Sequence, residues 1–298
     1  MTRALVVPGL DAILQSDRIA LWLNEPDVIH ALADASKILT GLTGTDQDLV
    51  GVLMSRRPMW AERFGIGLCT LCAVQVGILR TAEKYISWDV LVGCSNGDAA
   101  RSVFANSISF EDMLQISLYV AKAQEICPPG STAVFRRADT GALDDLDLKL
   151  CHEAGVAVSR WSPANATVAG TDDAIERLRS LIEHGPYKLN VLYPVPLHSP
   201  VLKPLQPGLR DLMRGLENPD KKLFSSVTHD LVTTSTAMRE EQLTAIVQPI
   251  DWPTTLHVLR EKFAVDTVIN AGPGSDLMAM SQSSVTGIKF LDLLDLLD

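Results

Sequence analysis

The chain has 298 residues, of which 47% are hydrophobic and 21% are charged. A domain averages about 150 residues, so this length predicts about two domains or one large domain with an insertion, and the composition is that of a globular protein. With 26 basic and 36 acidic residues the net charge is −10, which argues against a nucleic-acid-binding protein and against attachment to anionic lipid through charge.

The N-terminal residues 1–9 carry one basic side chain and a short apolar run. They lack the longer hydrophobic region and the small-residue cleavage site of a signal peptide. We instead predict a first strand over 3–8 that meets a turn at Pro8-Gly9. Apolar runs such as 4–7 and 90–92 are far shorter than a membrane span. We therefore expect a cytoplasmic protein with reduced cysteines.

The sequence contains five cysteines: Cys69, Cys72, Cys94, Cys127 and Cys151. Cys69 and Cys72 form a C-x-x-C inside an apolar stretch. At helical spacing, we expect them to be small core residues. A redox or metal pair is the alternative, but no second Cys or His pair lies at ligand spacing. We predict no metal site.

Short apolar runs alternate with helical patterns, which predicts an α/β fold. Up to residue 126 the predicted elements are a strand at 3–8, helices at 16–37, 44–53 and 59–84, a strand at 89–92, and helices at 96–104 and 110–126. The sequence Cys127-Pro128-Pro129-Gly130-Ser131 then breaks the pattern and predicts a boundary.

After this boundary the pattern changes to β-α-β-β-α-β. The predicted elements are a strand at 131–137, a helix at 143–154, strands at 157–161 and 166–169, a helix at 172–184 and a strand at 188–193. This order is typical of a ferredoxin-like unit, and the proline-rich stretch at 194–200 leads away from it. We predict a discontinuous large domain of residues 1–128 and 195–298, with a ferredoxin-like subdomain at 129–194.

The last third of the chain continues the large domain. Its predicted elements are helices at 206–216, 236–246 and 254–263 and a strand at 267–269. The final residues 291–298 form a leucine and aspartate tract. We expect a terminal helix or a frayed tail there, and a partner-docking peptide is the alternative.

The strongest candidate for chemistry is Gly93-Cys94-Ser95-Asn96-Gly97, which fits the G-x-S-x-G pattern. An apolar strand precedes it and a helical pattern follows it, as in enzymes that expose a nucleophilic serine on a sharp strand-to-helix turn. Flanking glycines allow close backbone approach, and the helix N-terminus directs amide groups at a developing oxyanion. An ordinary glycine-rich turn is the alternative.

A nucleophilic serine needs a base, and the chain has six histidines. Four of them lie in helical, polar surroundings, where solvated side chains are expected: His30, His152, His184 and His257. His198 instead follows a strand, in a proline-rich loop, and loops on a rigid scaffold commonly carry catalytic groups. The alternative, that His198 is an ordinary loop histidine, is left open by the sequence. His229 is the second candidate base.

Several motifs occur together in the order and spacing of one family. They are Val7-Pro8-Gly9, Gly93-Cys94-Ser95-Asn96-Gly97-Asp98, Ile108-Ser109-Phe110-Glu111-Asp112, Val168-Ala169-Gly170-Thr171, Pro196-Leu197-His198-Ser199, Ser225-Ser226-Val227-Thr228, Pro249-Ile250-Asp251-Trp252 and Gly272-Pro273-Gly274. Over nearly its whole length, the chain resembles the malonyl-CoA:acyl carrier protein transacylases and the related acyltransferase domains of polyketide synthases.

This resemblance implies an α/β-hydrolase-like large domain with a ferredoxin-like insertion. It also implies that His198 accepts the proton of Ser95, which attacks an acyl-CoA or acyl carrier protein thioester. The phosphopantetheine thiol of an acyl carrier protein then attacks the acyl-serine. Backbone amides of Asn96 and Leu10 would form the oxyanion hole. No permanently bound cofactor is implied.

The chain departs from the family where the malonyl carboxylate would bind. The family arginine, about 25 residues after the serine, falls on Val120, or on Tyr119 with a one-residue slip. Lys122 projects from a different helix face and lacks a planar fork. Burying a carboxylate without a partner costs several kcal/mol, so we predict that malonyl is not the preferred acyl group, or that it is bound differently. An uncharged acyl group would fit a pocket at Tyr119, Val120 and Cys94.

Other departures concern smaller features of the site. Leu10 and Asp11 replace the Gln-Gly of the first motif, and Cys94 replaces a histidine beside the nucleophile. We expect Cys94 to be a small buried residue, and a second reactive group is the alternative. A family glutamine falls on Ala245, and Gln242 or Gln248 would supply it after a local shift.

Three functions follow as hypotheses. The first is an acyltransferase that loads carrier proteins. The second is a hydrolase that clears stalled acyl groups, since family relatives with that activity lack the arginine. The third is a non-catalytic scaffold. An acidic carrier protein would need a local basic patch, with ordinary surface charge as the alternative; the candidates are Arg56, Arg57, Arg177, Arg179 and Lys188.

Overall fold

The computed structural model describes residues 2–10, 16–54, 63–139, 141–161, 165–274 and 276–297. The strands in this part of the chain are β1 (Thr2–Val7), β2 (Val90–Gly93), β3 (Gly130–Arg137), β4 (Ala157–Trp161), β5 (Ala166–Thr171), β6 (Tyr187–Tyr193), β7 (Leu223–Phe224), β8 (Leu231–Val232), β9 (Val265–Asn270) and β10 (Lys289–Asp292).

The α-helices of the described residues lie between and beside these strands. They are α1 (Ser16–Trp22), α2 (Pro26–Thr43), α3 (Leu49–Met54), α4 (Phe64–Tyr85), α5 (Asn96–Phe104), α6 (Phe110–Ala121), α7 (Ala123–Ile126), α8 (Asp145–Ala154), α9 (Asp172–Ile182), α10 (Gln206–Leu212), α11 (Ser235–Ala245), α12 (Trp252–Phe263), α13 (Asp276–Ser284) and α14 (Leu294–Leu297). A 3₁₀ helix, Pro200–Leu205, precedes α10.

The larger sheet has the strand order β10-β9-β1-β2-β7-β8. Its paired strands are parallel except for β7 and β8. Leu5 and Val7 of β1 enter one hydrophobic cluster, and Ala4 and Val6 enter another on the opposite face. A strand buried on both faces needs a continuous apolar run, which explains the sequence of β1.

The smaller sheet has the order β4-β5-β3-β6, with antiparallel pairs. Helices α8 and α9 share one hydrophobic cluster with it. Asp144 caps α8 with a capping box, and the Thr171 hydroxyl caps α9. The β-α-β-β-α-β order of these elements confirms the predicted ferredoxin-like unit within an α/β fold. The domain limits at 128/129 and 194/195 stay a prediction.

The structure differs from the prediction at two long helices, each of which is divided, and at two short strands. The helix predicted at 16–37 is two helices, because Pro26 begins α2 and cannot lie inside a longer helix. The helix predicted at 110–126 is likewise divided at Lys122. The two-residue strands β7 and β8 were not predicted, since they are too short to show a periodic pattern.

The prediction of a terminal helix or frayed tail over 291–298 is wrong for its first residues. Leu291 and Asp292 belong to β10, which pairs in parallel with β9. Leu293 is fully buried. Only residues 294–297 form the short helix α14. The tract therefore extends the larger sheet instead of leaving it.

Helix α4 is the core helix of the larger unit. Its 22 residues have a mean hydropathy of 1.5 over a membrane-length window, but 83% of that window is buried inside the protein. By length and hydropathy this helix could cross a membrane, so the expectation that every apolar stretch is too short is wrong for it. In the structure it packs against α2, α5 and α6. Cys69 and Cys72 are buried in it, and burial raises the pKa of the Cys72 thiol to about 12.

Candidate active site

Ser95 lies on a sharp turn between β2 and α5. Its backbone has φ 59° and ψ −121°, a sparsely populated conformation that is a mark of functional strain. The turn is tight enough that a Cβ on Gly97 would overlap the carbonyl oxygen of Val7. A Cβ on Gly9 would lie 3.1 Å from the Cβ of Ser95. Gly97 is required because backbone from the end of β1 passes directly beside the turn, and Gly9 leaves only a tight space for a side chain next to Ser95.

His198 reaches Ser95 from the loop after β6. Its Nε2 lies 2.7 Å from Ser95 Oγ, and its Nδ1 lies 2.6 Å from the carbonyl oxygen of Ala245. A carbonyl can only accept, so Nδ1 carries the proton and donates it. This tautomer leaves Nε2 unprotonated and able to accept the proton of the serine hydroxyl. A backbone carbonyl at the end of α11 thus orients the imidazole.

His229, the second candidate base, lies elsewhere. Its Nε2 is 3.3 Å from the carbonyl oxygen of Asp251, and it does not line the cavity at Ser95. Both His198 and His229 have positive φ angles, of 55° and 56°, so backbone strain does not distinguish them. Contact with Ser95 does.

Asn96 and Leu10, whose backbone amides are the predicted oxyanion donors, both line the same cavity as Ser95. Asn96 is the first residue of α5, so its N–H has no acceptor within the helix. Leu10 lines the cavity from the segment after β1. The fully buried Gln75 of α4 donates its side-chain amide to the carbonyl oxygen of Pro8, at 2.6 Å. Sequence reasoning missed Gln75, which fixes the Pro8-Gly9-Leu10 segment beside the serine.

The cavity itself is small, about 90 Å³, and mostly apolar. Its lining residues are Leu10, Leu68, Ser95, Asn96, Asp98, Ala99, Met113, Ile116, Ser117, Val120, Leu197, His198, Gln242, Ala245 and Ile246. None of these described lining residues is a lysine or an arginine. Val120 lines the cavity, as predicted by counting about 25 residues from Ser95.

Two residues predicted for this pocket lie outside it. The Tyr119 hydroxyl packs against Gly208 of α10, where a Cβ would overlap it, because adjacent helix positions point about 100° apart. Cys94 is fully buried in the hydrophobic cluster on the far face of the larger sheet. Of the two candidate glutamines, Gln242 lines the cavity and Gln248 is exposed. Lys122 is also exposed and does not line the cavity.

A buried ionic cluster lies beside the cavity. Arg101 Nε is 2.8 Å from Asp98 Oδ1, and Arg101 Nη2 pairs with Glu241 Oε1. All three side chains are at most 3% exposed. One cation between two carboxylates leaves a net charge of −1 when all three are ionised. Burial raises the pKa of Asp98 to about 7, since the opposing effect of Arg101 is partly offset by the charge of Glu241.

This raised pKa makes stability depend on pH. Between about pH 4 and pH 7 folded Asp98 binds a proton that the unfolded chain releases, so its contribution to the unfolding free energy falls as pH rises through this window. Asp98→Asn should remove the decrease in the free energy of unfolding that ionisation of Asp98 causes. In urea unfolding, the free energy of unfolding of the variant should therefore rise relative to that of wild type between pH 5 and pH 8. Asp211→Asn, at an exposed ion pair with Arg214, should not; equal pH dependence in D98N and wild type would contradict the assignment.

The candidate basic patch is only partly described. Arg177 and Arg179 are exposed on α9, and Lys188 is exposed on β6. Arg177 Nε donates to the carbonyl oxygen of Ala154 at 3.1 Å, and Arg179 pairs with Glu176 at 3.2 Å. Both guanidinium groups thus have partners within the subdomain. The other two candidates, Arg56 and Arg57, lie outside the described residues.

Comparison with known sequences gives distant relatives. No model of a known protein family matches the chain. It is 25% identical over 92% of its length to a highly reducing polyketide synthase of Emericella nidulans, of which the match covers 12%. It is 24% identical over 74% of its length to 6-hydroxymellein synthase of Talaromyces verruculosus, of which 10% is covered. The chain thus spans about a tenth of the length of these curated relatives.

Comparison with solved structures identifies the fold. A malonyl-transacylase in complex with its type II polyketide synthase acyl-carrier protein superposes with a TM-score of 0.82 at 22% identity, covering 100% of this chain and 98% of that one. The acyl-carrier-protein S-malonyltransferase of Burkholderia pseudomallei gives a TM-score of 0.81 at 21% identity, with 98% and 96% covered. That of Vibrio cholerae gives 0.80 at 21% identity, with both chains fully covered. The resemblance expected from the motifs is therefore confirmed: the chain has the malonyl-CoA:acyl carrier protein transacylase fold.

Proposed function

We propose that this chain is an acyltransferase that moves an uncharged acyl group between CoA or acyl carrier protein thioesters through an acyl-serine. One observation carries the proposal. Ser95 Oγ lies 2.7 Å from His198 Nε2, while the Ala245 carbonyl holds the other ring nitrogen in the protonated form. This is the geometry that a serine needs in order to lose its proton as it attacks.

The reaction has two half-reactions at one centre. Ser95 Oγ attacks the thioester carbonyl as its proton moves to His198 Nε2, and the amides of Asn96 and Leu10 bind the oxyanion. Each such donor typically contributes about 100- to 1000-fold. The tetrahedral adduct collapses, the C–S bond breaks, and the leaving thiolate takes the proton from His198. An acceptor thiol then gives its proton to His198 and attacks the ester carbonyl. The C–O bond to Ser95 breaks, and Ser95 Oγ takes the proton back from His198.

The lining of the cavity supports an uncharged acyl group. Val120 presents an aliphatic side chain, and no described lining residue is a lysine or an arginine. Among the described lining residues is the acidic Asp98, which belongs to a cluster with one more carboxylate than cations. A carboxylate on the acyl group would be buried without a partner and beside like charge, at a cost of several kcal/mol. The volume of about 90 Å³ suits a short chain.

The acceptor that we propose is the phosphopantetheine arm of an acyl carrier protein. One similar structure is a malonyl-transacylase bound to its acyl-carrier protein, and the sequence relatives are polyketide synthases. These similarities support a role in polyketide or fatty-acid type biosynthesis. Hydrolysis is the second candidate, because Ser95 and His198 are both partly exposed and water would reach an acyl-serine there.

The proposal predicts a selective loading reaction. The protein is incubated with acetyl-, butyryl- and malonyl-CoA, with and without holo acyl carrier protein, and intact masses are measured over time. Uncharged donors should acylate the protein about 100-fold faster than malonyl-CoA, as expected for a buried unpaired carboxylate. Transfer of the adduct to the carrier protein supports acyltransfer, and release of free acid without an acceptor supports hydrolysis. Preferential malonyl loading would contradict the specificity, and no adduct from any donor would support the scaffold.

A further inference from the structure

Two helices each hold one half of the Ser95–His198 pair. Helix α5 begins immediately after Ser95 and ends at Phe104. Helix α11 ends at Ala245, whose carbonyl oxygen binds His198 Nδ1. Any movement of α11 relative to α5 therefore moves the imidazole relative to the serine hydroxyl. What fixes these helices to each other decides the geometry of the pair.

A buried ion pair connects the two helices. Arg101 of α5 pairs through Nη2 with Glu241 of α11, and both side chains are at most 2% exposed. Arg101 also donates Nη1 to the carbonyl oxygen of Phe224 in β7, at 2.5 Å, and contacts Asp98 through Nε. Each of the three guanidinium nitrogens thus lies close to a different partner. The hydrogen bonds from Nη1 and Nη2 fix the orientation of the planar group.

Ser102, the residue after Arg101 in α5, adds polar contacts between the two helices. Ser102 Oγ donates to the carbonyl oxygen of Asp98 at 2.6 Å and accepts from Gln242 Nε2 at 3.3 Å. It also lies 3.5 Å from Met238 Sδ. Gln242 itself lines the cavity, one residue after Glu241. The contact between α5 and α11 therefore continues from the ionic cluster to the wall of the acyl pocket.

We infer that Arg101 and Glu241 are positioning residues that set the distance between Ser95 Oγ and His198 Nε2. This inference rests on the proposed function, since the distance matters for the proposed attack of Ser95 on an acyl thioester. The ion pair between the two helices tolerates little displacement, because moving α11 away from α5 would leave the buried Glu241 carboxylate without its counterion. In an enzyme, a displacement of about 1 Å at the reacting groups can cost about 100-fold in rate.

Glu241→Gln is the primary test. Glutamine keeps the size of the side chain and an acceptor oxygen, and Arg101 keeps Asp98 as counterion, so the variant retains a balanced cluster. The maximal rate of acyl-enzyme formation should fall about 10- to 100-fold, with the half-saturating donor concentration unchanged. Glu240→Gln is the matched control. It makes the same change one residue away, at an exposed pair with Arg210, and should retain the wild-type rate.

Arg101→Lys is the second variant. It keeps the positive charge but cannot reach Asp98, Glu241 and the Phe224 carbonyl together, since an ammonium lacks the guanidinium fork. Its acylation rate should fall as in E241Q. Thermal unfolding of all variants shows whether the proteins are folded at the assay temperature. If folded E241Q and R101K react at the wild-type rate, or if only the half-saturating concentration changes, the inference is overturned.

A substrate-independent probe separates this inference from the proposed function. An alkyl fluorophosphonate modifies serines that have an aligned base, whatever their natural acyl donor. Slower labelling of Ser95 in E241Q and R101K, but not in E240Q, supports the inference even if no acyl-CoA loads the wild type and the proposed function fails. Equal labelling of all four proteins, or no labelling of wild-type Ser95, overturns it.

Discussion

Replacing Ser95 with alanine is expected to abolish the covalent acyl adduct with every donor that loads the wild type. The substitution removes the only atom in the proposed reaction that bonds to the acyl carbon, so the adduct cannot form, whereas binding of the donor is retained. Intact-mass measurement after incubation with acetyl-CoA checks this outcome. Transfer to carrier protein should fall to the uncatalysed rate in the same experiment.

The neighbouring cysteine provides the control for this prediction. Cys94 adjoins Ser95 in the chain, but its side chain is fully buried in the cluster on the far face of the larger sheet. Cys94→Ala should therefore load acyl groups at close to the wild-type rate. An adduct that persists in S95A and disappears in C94A would transfer the nucleophilic role to the thiol and would contradict the proposed mechanism.

The parts of this site that follow from local sequence were predictable. A parallel strand buried on both faces needs a continuous apolar run, so β1 and β2 could be located from the apolar runs at 4–7 and 90–92. The G-x-S-x-G turn is likewise local, because its glycines are required by backbone that passes next to it. His198 could be proposed because it follows a strand in a proline-rich loop, although only the structure shows its contact with Ser95.

The parts that depend on long-range contacts were not predictable. Gln75 binds Pro8 across 67 residues, and Arg101 meets Glu241 across 140. Gln75 lies in a mostly apolar core helix, and Arg101 and Glu241 are ordinary polar residues of other helices. No periodicity in the sequence reveals the partner of any of them. Tyr119 shows the same limit at short range, since a count along the chain cannot decide which of two adjacent helix residues faces the cavity.

Replacing His198 with alanine is expected to slow acyl-enzyme formation by about 100- to 10,000-fold, the usual contribution of a general base. The Ser95 hydroxyl would lose its acceptor at 2.7 Å, while the oxyanion amides and the apolar cavity remain. The maximal rate should therefore fall with little change in the half-saturating donor concentration. Stopped-flow or quenched measurement of acyl-enzyme formation checks both quantities.

His229→Ala serves as the matched control, since that imidazole contacts the Asp251 carbonyl and lies outside the cavity. It should react at the wild-type rate; loss of activity in H229A but not in H198A would reverse the two assignments. A second signature concerns the order of the steps. His198 serves attack by the serine and attack by the acceptor thiol, so both half-reactions should slow in H198A. Acyl-enzyme prepared from it should then persist when carrier protein is added, whereas a residue needed only for donor binding would leave the second step fast.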